Sequence, residues 1–251
     1  MSKKTDGNVY TVVFAVGMVL VVGALLAFLA SESALKPFIT ENKRIEKQQN
    51  ILYAMGVNEN QGTSAIFVST DTAGSKFKEF VKKQLVIEGN KTSEDDQAYL
   101  IDVKKEKDKA KRGGVRKLPL FVGEKDGKVF YVAPIIGKGL WDAIWGYIAM
   151  DENMVVQGAY FDHKGETPGL GANIKERFFM DDFIGEHLLD SDGNFKGIRV
   201  AKGNNDPKND EKTDYEVDAI AGATITGDGV SAMIKSDLKL YVPYFKSLKA
   251  N

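Results

Sequence analysis

The most distinctive pattern in the chain is a run from Tyr10 to Ala30, 21 residues without a single charged side chain. As an α-helix rising about 1.5 Å per residue it is roughly 30 Å long, the thickness of a bilayer's hydrocarbon core. The run is longer than the apolar part of a signal peptide, and no convincing small-x-small cleavage site stands near Ala30, so an uncleaved anchor is expected. Lys3 and Lys4 precede it, whereas Glu32 and only one nearby lysine, Lys36, follow. The positive-inside rule then puts residues 1–9 in the cytoplasm, 10–30 in the membrane and 31–251 outside the cytoplasm. Lys43, Arg44 and Lys47 stand beside Glu41 and Glu46 and read as a mixed-charge helix leaving the membrane.

Beyond the anchor, residues 33–55 predict a helix with an imperfect apolar stripe (Leu35, Phe38, Ile39, Ile45, Ile51, Leu52). A second helical piece is expected over 75–88 from Phe77, Phe80, Val81, Leu85 and Val86. The charged stretch Lys104–Lys117, with Gly113-Gly114, reads as an exposed loop; a docking patch for an acidic partner is its functional alternative. Then come strands. Residues 118–122 and 128–135 flank Lys125-Asp126-Gly127, a hairpin signal, and 141–150 and 154–161 flank Asp151-Glu152-Asn153 as a second hairpin. Residues 172–189 predict a helix, 194–202 a strand and 203–215 a polar loop. Val230, Met233, Ile234, Leu238, Tyr241, Phe245 and Leu248 form one stripe of an amphipathic helix that Pro243 should kink or end. With no internal repeat, the soluble part reads as one α+β domain.

Composition narrows the chemistry. In 251 residues, 34 Lys+Arg stand against 35 Asp+Glu, which leaves no basic footprint for nucleic acid. Cysteine is absent and the histidines are two, His163 and His187. Disulfides, thiolate-held iron–sulfur clusters, Cys-attached haem and multi-His metal sites are therefore excluded within this chain. Any redox or group-transfer chemistry must use an organic cofactor or none.

The segment Asp218-Ala219-Ile220-Ala221-Gly222-Ala223-Thr224-Ile225-Thr226-Gly227 is a small-residue turn opening into the last helix. Such a junction frees backbone N–H groups and favours an anion, and Gly222 and Ala223 allow another body close to the backbone. Thr224 adds a hydroxyl there, one that a phosphate ester could use. On local physics alone the simpler reading is that Thr224 or Thr226 caps the helix. Upstream, Glu166-Thr167-Pro168-Gly169-Leu170-Gly171 is a tight loop able to offer polar backbone groups and an apolar contact from Leu170, or else an ordinary turn. Neither it nor Gly137-x-Gly139 has the Gly-x-Gly-x-x-Gly spacing of a dinucleotide fingerprint, so direct NADH binding is not expected. Trp141 is the candidate aromatic for a cofactor pocket; Trp145 is assigned to packing and His163 to a turn.

The turn at 218–224 resembles the flavinylation motif Asp-x-x-Ser/Thr-Gly-Ala-Thr, with Asp218, Gly222, Ala223 and Thr224 matching and Ala221 standing where the motif has a hydroxyl residue. Together with Gly137-Lys138-Gly139-Leu140-Trp141, the loop His163–Gly171, the anchor and the C-terminal helix, the whole chain is similar to the NqrC family, the C subunits of the Na⁺-translocating NADH:quinone oxidoreductase (Nqr). The G subunit of the Rnf complex is the alternative family, and a non-enzymatic anchored binding or sensor domain the alternative class. The resemblance implies an FMN-binding domain with a mainly antiparallel sheet flanked by helices. It implies covalent FMN on Thr224, installed by a flavin transferase, with Asp218, Gly222, Ala223, Glu166, Thr167, Gly169, Leu170 and Trp141 around it. It also implies an electron carrier among the other Nqr subunits, in the bacterial inner membrane with its soluble domain on the periplasmic side.

Overall fold

A computed structural model describes residues 6–203 and 206–249. The chain divides into two compact units, Met1–Arg44 and Ile45–Asn251. The first helix, α1, spans Asp6–Ala54 as 49 continuous residues with Pro37 inside it, so the apolar run and the predicted helix after it are one element. In the first unit the side chains of Val12, Phe14, Val19 and Leu26 are exposed, and the stretch Val9–Leu26 is long and apolar enough to cross a membrane. Leu35, Phe38 and Ile39 of the predicted stripe are exposed as well, whereas Ile51 and Leu52 are fully buried in the second unit.

The second unit is built on a six-stranded antiparallel sheet in the order β2-β1-β3-β4-β5-β6. Its strands are β1 (Val81–Glu88), β2 (Lys91–Glu94), β3 (Lys117–Lys125), β4 (Lys128–Lys138), β5 (Ala143–Met150) and β6 (Val156–His163). The helices are α2 (Thr70–Phe80), α3 (Val103–Lys111), α4 (Arg177–Asp182), α5 (Thr224–Leu238) and α6 (Val242–Leu248). A two-stranded parallel pair, β7 (Arg199–Val200) and β8 (Glu216–Val217), completes the unit. This is the α+β architecture expected.

Both predicted hairpins form. Lys125 pairs with Lys128 across Asp126 (φ 52°) and Gly127 (φ 74°), the left-handed pair that a two-residue hairpin turn requires. At the C-terminal end a 3₁₀ turn over Lys239–Tyr241 separates α5 from α6, with Pro243 in the first turn of α6, where a missing N–H is harmless.

Four expectations are corrected. The predicted helix over 75–88 ends at Phe80, and Val81–Glu88 is strand β1, hydrogen-bonded to β2 and β3. Its apolar positions fit either period, and the neighbouring strands decide. The expected loop 104–117 begins as helix α3, capped by the Asp102 carboxylate, which accepts from the Lys105 N–H at 3.0 Å. The expected helix over 172–189 reduces to a 3₁₀ turn at Gly171–Lys175 and the six residues of α4. Phe179 and Phe183 turn inward onto Phe161, and Gly185 (φ 90°) bends the chain away. Of the strand expected over 194–202, Arg199–Val200 pairs as β7 and Phe195 makes only an isolated bridge with Leu189.

Side-chain alternation puts α5 on one sheet face and the end of α1 on the other. A Cβ on Gly229 of α5 would sit 2.3 Å from the Lys138 carbonyl oxygen, and one on Gly137 would sit 2.8 Å from Met233 Cβ. These contacts press α5 against the ends of β4 and β5. On the opposite face, a Cβ on Gly158 would sit 2.2 Å from the Ala54 carbonyl oxygen. Val230, Ile234, Leu238, Ile144 and Ile148 are fully buried, so the position of α5 is fixed by core packing.

Candidate functional site

Three segments converge where α5 begins. The first is the corner after β4, closed by a bond from the Gly139 N–H to the Asp142 carbonyl at 2.9 Å. The second is the turn Thr167-Pro168-Gly169-Leu170, in which the Leu170 N–H donates to the Thr167 carbonyl at 3.1 Å and Gly169 takes φ 78°. Proline at the second position and a left-handed glycine at the third are what a type II turn needs. The third is the turn Ile220–Ala223, closed by the Ala223 N–H on the Ile220 carbonyl at 3.0 Å, with Gly222 at φ 71°.

Glu166 fastens these segments together. One carboxylate oxygen accepts from the Trp141 N–H at 2.9 Å, and the other accepts from the buried Thr226 hydroxyl at 2.6 Å and the Leu140 N–H at 3.3 Å. Burial pushes this carboxyl upward. The Thr226 hydroxyl and the backbone N–H groups of Trp141, Asp142 and Leu140 outweigh it and hold the pKa below the ordinary glutamate value. The clamp demands glycine on both sides. A Cβ on Gly139 would sit 2.6 Å from Glu166 Oε1, and one on Gly171 would sit 2.5 Å from both Glu166 Oε2 and Thr226 Oγ1.

The cleft between the three segments has a volume of about 240 Å³. Glu166, Thr167, Leu170, Gly222, Ala223 and Thr224, all singled out in the sequence, line it together. Trp141 stands at its edge, its indole N–H donating to the Thr167 hydroxyl at 3.2 Å. Gly169 forms the turn between Thr167 and Leu170. Asp218 does not line the cleft: its N–H donates to the Asp182 carboxylate at 3.0 Å. Its own carboxyl is pushed up by burial and by the charges of Asp182 and Asp206. Leu140, Gly171, Ile225 and Thr226 also line the cleft and escaped the sequence reading as site residues. The Glu166–Thr226 bond joins positions 60 apart, and no local pattern announces it.

The helix-cap alternative can be decided. Position N-cap of α5 is Ala223, which makes no side-chain cap bond. Thr224 is the first helical residue and exposed, and the Thr226 hydroxyl is turned inward to Glu166. Among the described residues the N–H groups of Thr224, Ile225 and Thr226 have no protein acceptor. They lie at the positive end of a 15-residue helix, which favours an anion beside the free Thr224 hydroxyl. Leu140, Trp141, Leu170 and Ile225 leave apolar surface exposed around the same opening. Phosphate-seeking amides beside an exposed apolar rim suit a ligand with an anionic end and a flat aromatic body.

A family model described as an FMN-binding domain matches residues 139–239, from the Gly139 corner to one residue past α5. The chain is 30% identical over 243 residues to the C subunit of the Na⁺-translocating NADH-quinone reductase of Pseudomonas aeruginosa, covering 89% of this chain and 86% of that one. It is 29% identical to the corresponding protein of Neisseria meningitidis serogroup A, across 100% of this chain and 98% of the relative. Among solved structures it is similar to the C subunit from Parabacteroides distasonis, with TM-score 0.69, 33% identity, and 84% and 96% of the two chains covered. The Shewanella oneidensis NqrC structure gives TM-score 0.67 at 29% identity, covering 84% and 99%.

Proposed function

The chain belongs to the NqrC family, the C subunits of the Na⁺-translocating NADH-quinone reductases, and from that membership we propose a membrane-anchored electron carrier whose FMN is esterified through its phosphate to the Thr224 hydroxyl. The observation that carries the attachment is the state of Thr224: exposed, free of any capping role, and beside three amides with no protein acceptor. Thr226, two residues on, is a poor acceptor by contrast, since its hydroxyl is buried against Glu166.

Bound FMN supplies reversible uptake and release of electrons. The chain's own residues anchor, orient and shield. The amides of Thr224–Thr226 and the α5 dipole stabilise the phosphate charge. Leu170, Leu140, Ile225 and Trp141 offer the apolar contacts for the ring system, and Thr167 fixes the Trp141 indole. Asp218, outside the cleft, is read as part of the surface that a flavin transferase recognises during maturation. Ala221 is exposed and also outside the cleft, so the hydroxyl missing there changes that surface and leaves the pocket walls intact.

A cleft of about 240 Å³ is smaller than the roughly 300–1,000 Å³ usual for pockets that enclose a ligand. A cleft of this size would leave part of a bound flavin open to redox partners, and the ester would supply the retention that enclosure does not. Those partners are the other subunits of the reductase, which together carry out NADH:quinone oxidoreduction coupled to Na⁺ transport. The chain sits in the bacterial inner membrane by residues 10–30, with 1–9 in the cytoplasm and the soluble domain on the periplasmic side. The decisive experiment is the intact mass of the chain purified from its native membrane, paired with in-gel flavin fluorescence after denaturation. A mass heavier by one FMN residue is expected, and Thr224→Ala should abolish both signals. Flavin retained through denaturation in that variant would sink the attachment.

A further inference from the structure

A second cleft, of about 520 Å³, lies on the far side of the Trp141 corner, between α3, the end of β4 and α5. It is lined by four lysines, Lys104, Lys107, Lys111 and Lys138, against two aspartates, in a chain whose net charge is −1. Most of the charges are already engaged. Lys107 reaches the buried Asp237 carboxylate at 2.9 Å and the Ile136 carbonyl at 2.6 Å. Lys111 pairs with Asp108 at 3.2 Å, and Asp142 with Lys164 at 2.9 Å. The side chains of Lys104 and Lys138 are exposed and make no ion pair or hydrogen bond among the described residues. Their side of α3 is distinct from the other, where Lys105 and Lys109 find Asp102, Glu106 and Glu88. Lys104 is near enough to Asp142 to help, behind the Lys164 bond, in holding that carboxyl below its usual range.

Trp141 links this cleft to the one at Thr224. Trp141 lines it, with two thirds of its surface exposed, while its indole N–H holds Thr167 of the first cleft. An exposed aromatic and apolar rim with adjoining uncompensated charge is the make-up of a recognition surface: the apolar part gives contact and the charge gives partner choice and encounter rate. We propose that this basic cleft receives an acidic segment of the reductase subunit that exchanges electrons with the flavin, with Lys104 and Lys138 pairing to its carboxylates and bringing it against Trp141. This rests on the flavin reading above. Docking beside Trp141 would set the partner next to the cleft at Thr224, whereas docking elsewhere on the domain would not.

The test uses the whole complex, with Lys104→Glu/Lys138→Glu in this chain. NADH-driven quinone reduction should fall about tenfold at low ionic strength, a typical effect of opposing charge at a steered interface. In-gel flavin fluorescence of the subunit should match wild type. Lys105→Glu, a single charge reversal on the other side of α3, should turn over normally. Lys104→Gln/Lys138→Gln, which introduces no repulsion, should fall less and should lose the salt sensitivity of the wild-type rate. Wild-type turnover in the double reversal at full flavin content overturns the proposal, as does an equal loss in Lys105→Glu. A wild-type subunit without covalent fluorescence would instead overturn the flavin attachment, and is read before any lysine is changed.

Discussion

Replacing Glu166 tests whether the candidate cleft is held open by one carboxylate. In Glu166→Ala, the Trp141 N–H and the Thr226 hydroxyl lose their acceptor at 2.9 and 2.6 Å; the Leu140 and Asp142 amides, at 3.3 and 3.5 Å, lose weaker contacts. A hydrogen bond to a charged group contributes about 1.5–3 kcal/mol, so the two short bonds together are worth roughly 3–6 kcal/mol. For a domain of this size 1 kcal/mol moves the thermal midpoint by about 2–4 °C, which puts the expected fall on the order of 10 °C. The sign of the pH dependence follows from the lowered pKa. A carboxyl depressed in the folded state contributes stability that is present above its unfolded value, about 4.3, and lost as pH falls through the folded value. The gap between wild type and Glu166→Ala should therefore be full at pH 7 and narrow as the solution is acidified below pH 4. Glu166→Gln, which can accept from Trp141 and donate to Thr226, should fall between the two and show no such narrowing. The assay is thermal unfolding of the full chain in mild detergent, followed by near-ultraviolet circular dichroism. A midpoint within a degree of wild type at pH 7, or a gap unchanged at pH 3, would refute the clamp.

Two other expectations can be checked directly. Glu186 is fully buried with Lys212 as its nearest cation, and burial pushes its carboxyl up to about 7. A raised acid binds its proton more tightly when folded, so its ionisation removes stability as pH rises from about 4.3 towards 7. Glu186→Gln should leave the midpoint unchanged at pH 4 and raise it at pH 8, by an amount on the order of 1–3 kcal/mol; a lower midpoint at pH 8 would contradict this. For orientation, reporter fusions after residue 60 should be active only with a reporter that works outside the cytoplasm, and moving Lys3 and Lys4 to the other flank should weaken that preference.

The parts of the fold legible in the sequence are those whose cause is local. An uncharged run of 21 residues, Asp126-Gly127 between alternating strands, and a stripe from Val230 to Leu248 each carry their own physics. The strand at 81–88 reads as helix because Val81, Leu85 and Val86 also satisfy a helical period, and the ladder to Lys117–Gly123 that decides it joins positions 29 to 42 apart. Helix α3 escapes for the opposite reason: it buries no residue. Its cap and the pairs Lys105–Asp102, Lys109–Glu106 and Lys111–Asp108 favour helix without any hydrophobic pattern. At the site, residue types were legible and roles were not. A threonine at a helix start is ordinarily a cap, and only the distant Glu166 shows why Thr226 turns inward while Thr224, beside an Ala223 cap, stays free.

The shallowness of the cleft beside Thr224 bears on the order of events in the protein's making. The residues that seat α5, among them Val230, Met233, Ile234 and Leu238, are buried against the sheet by the chain's own packing. The site's three segments are joined by Glu166 through its bonds to the Leu140 and Trp141 N–H groups and the Thr226 hydroxyl. If Thr224 carries the flavin as proposed, folding and loading would be separate steps: the modifying enzyme would meet a finished surface with one presented hydroxyl. A cell short of flavin would accumulate silent carriers that await modification.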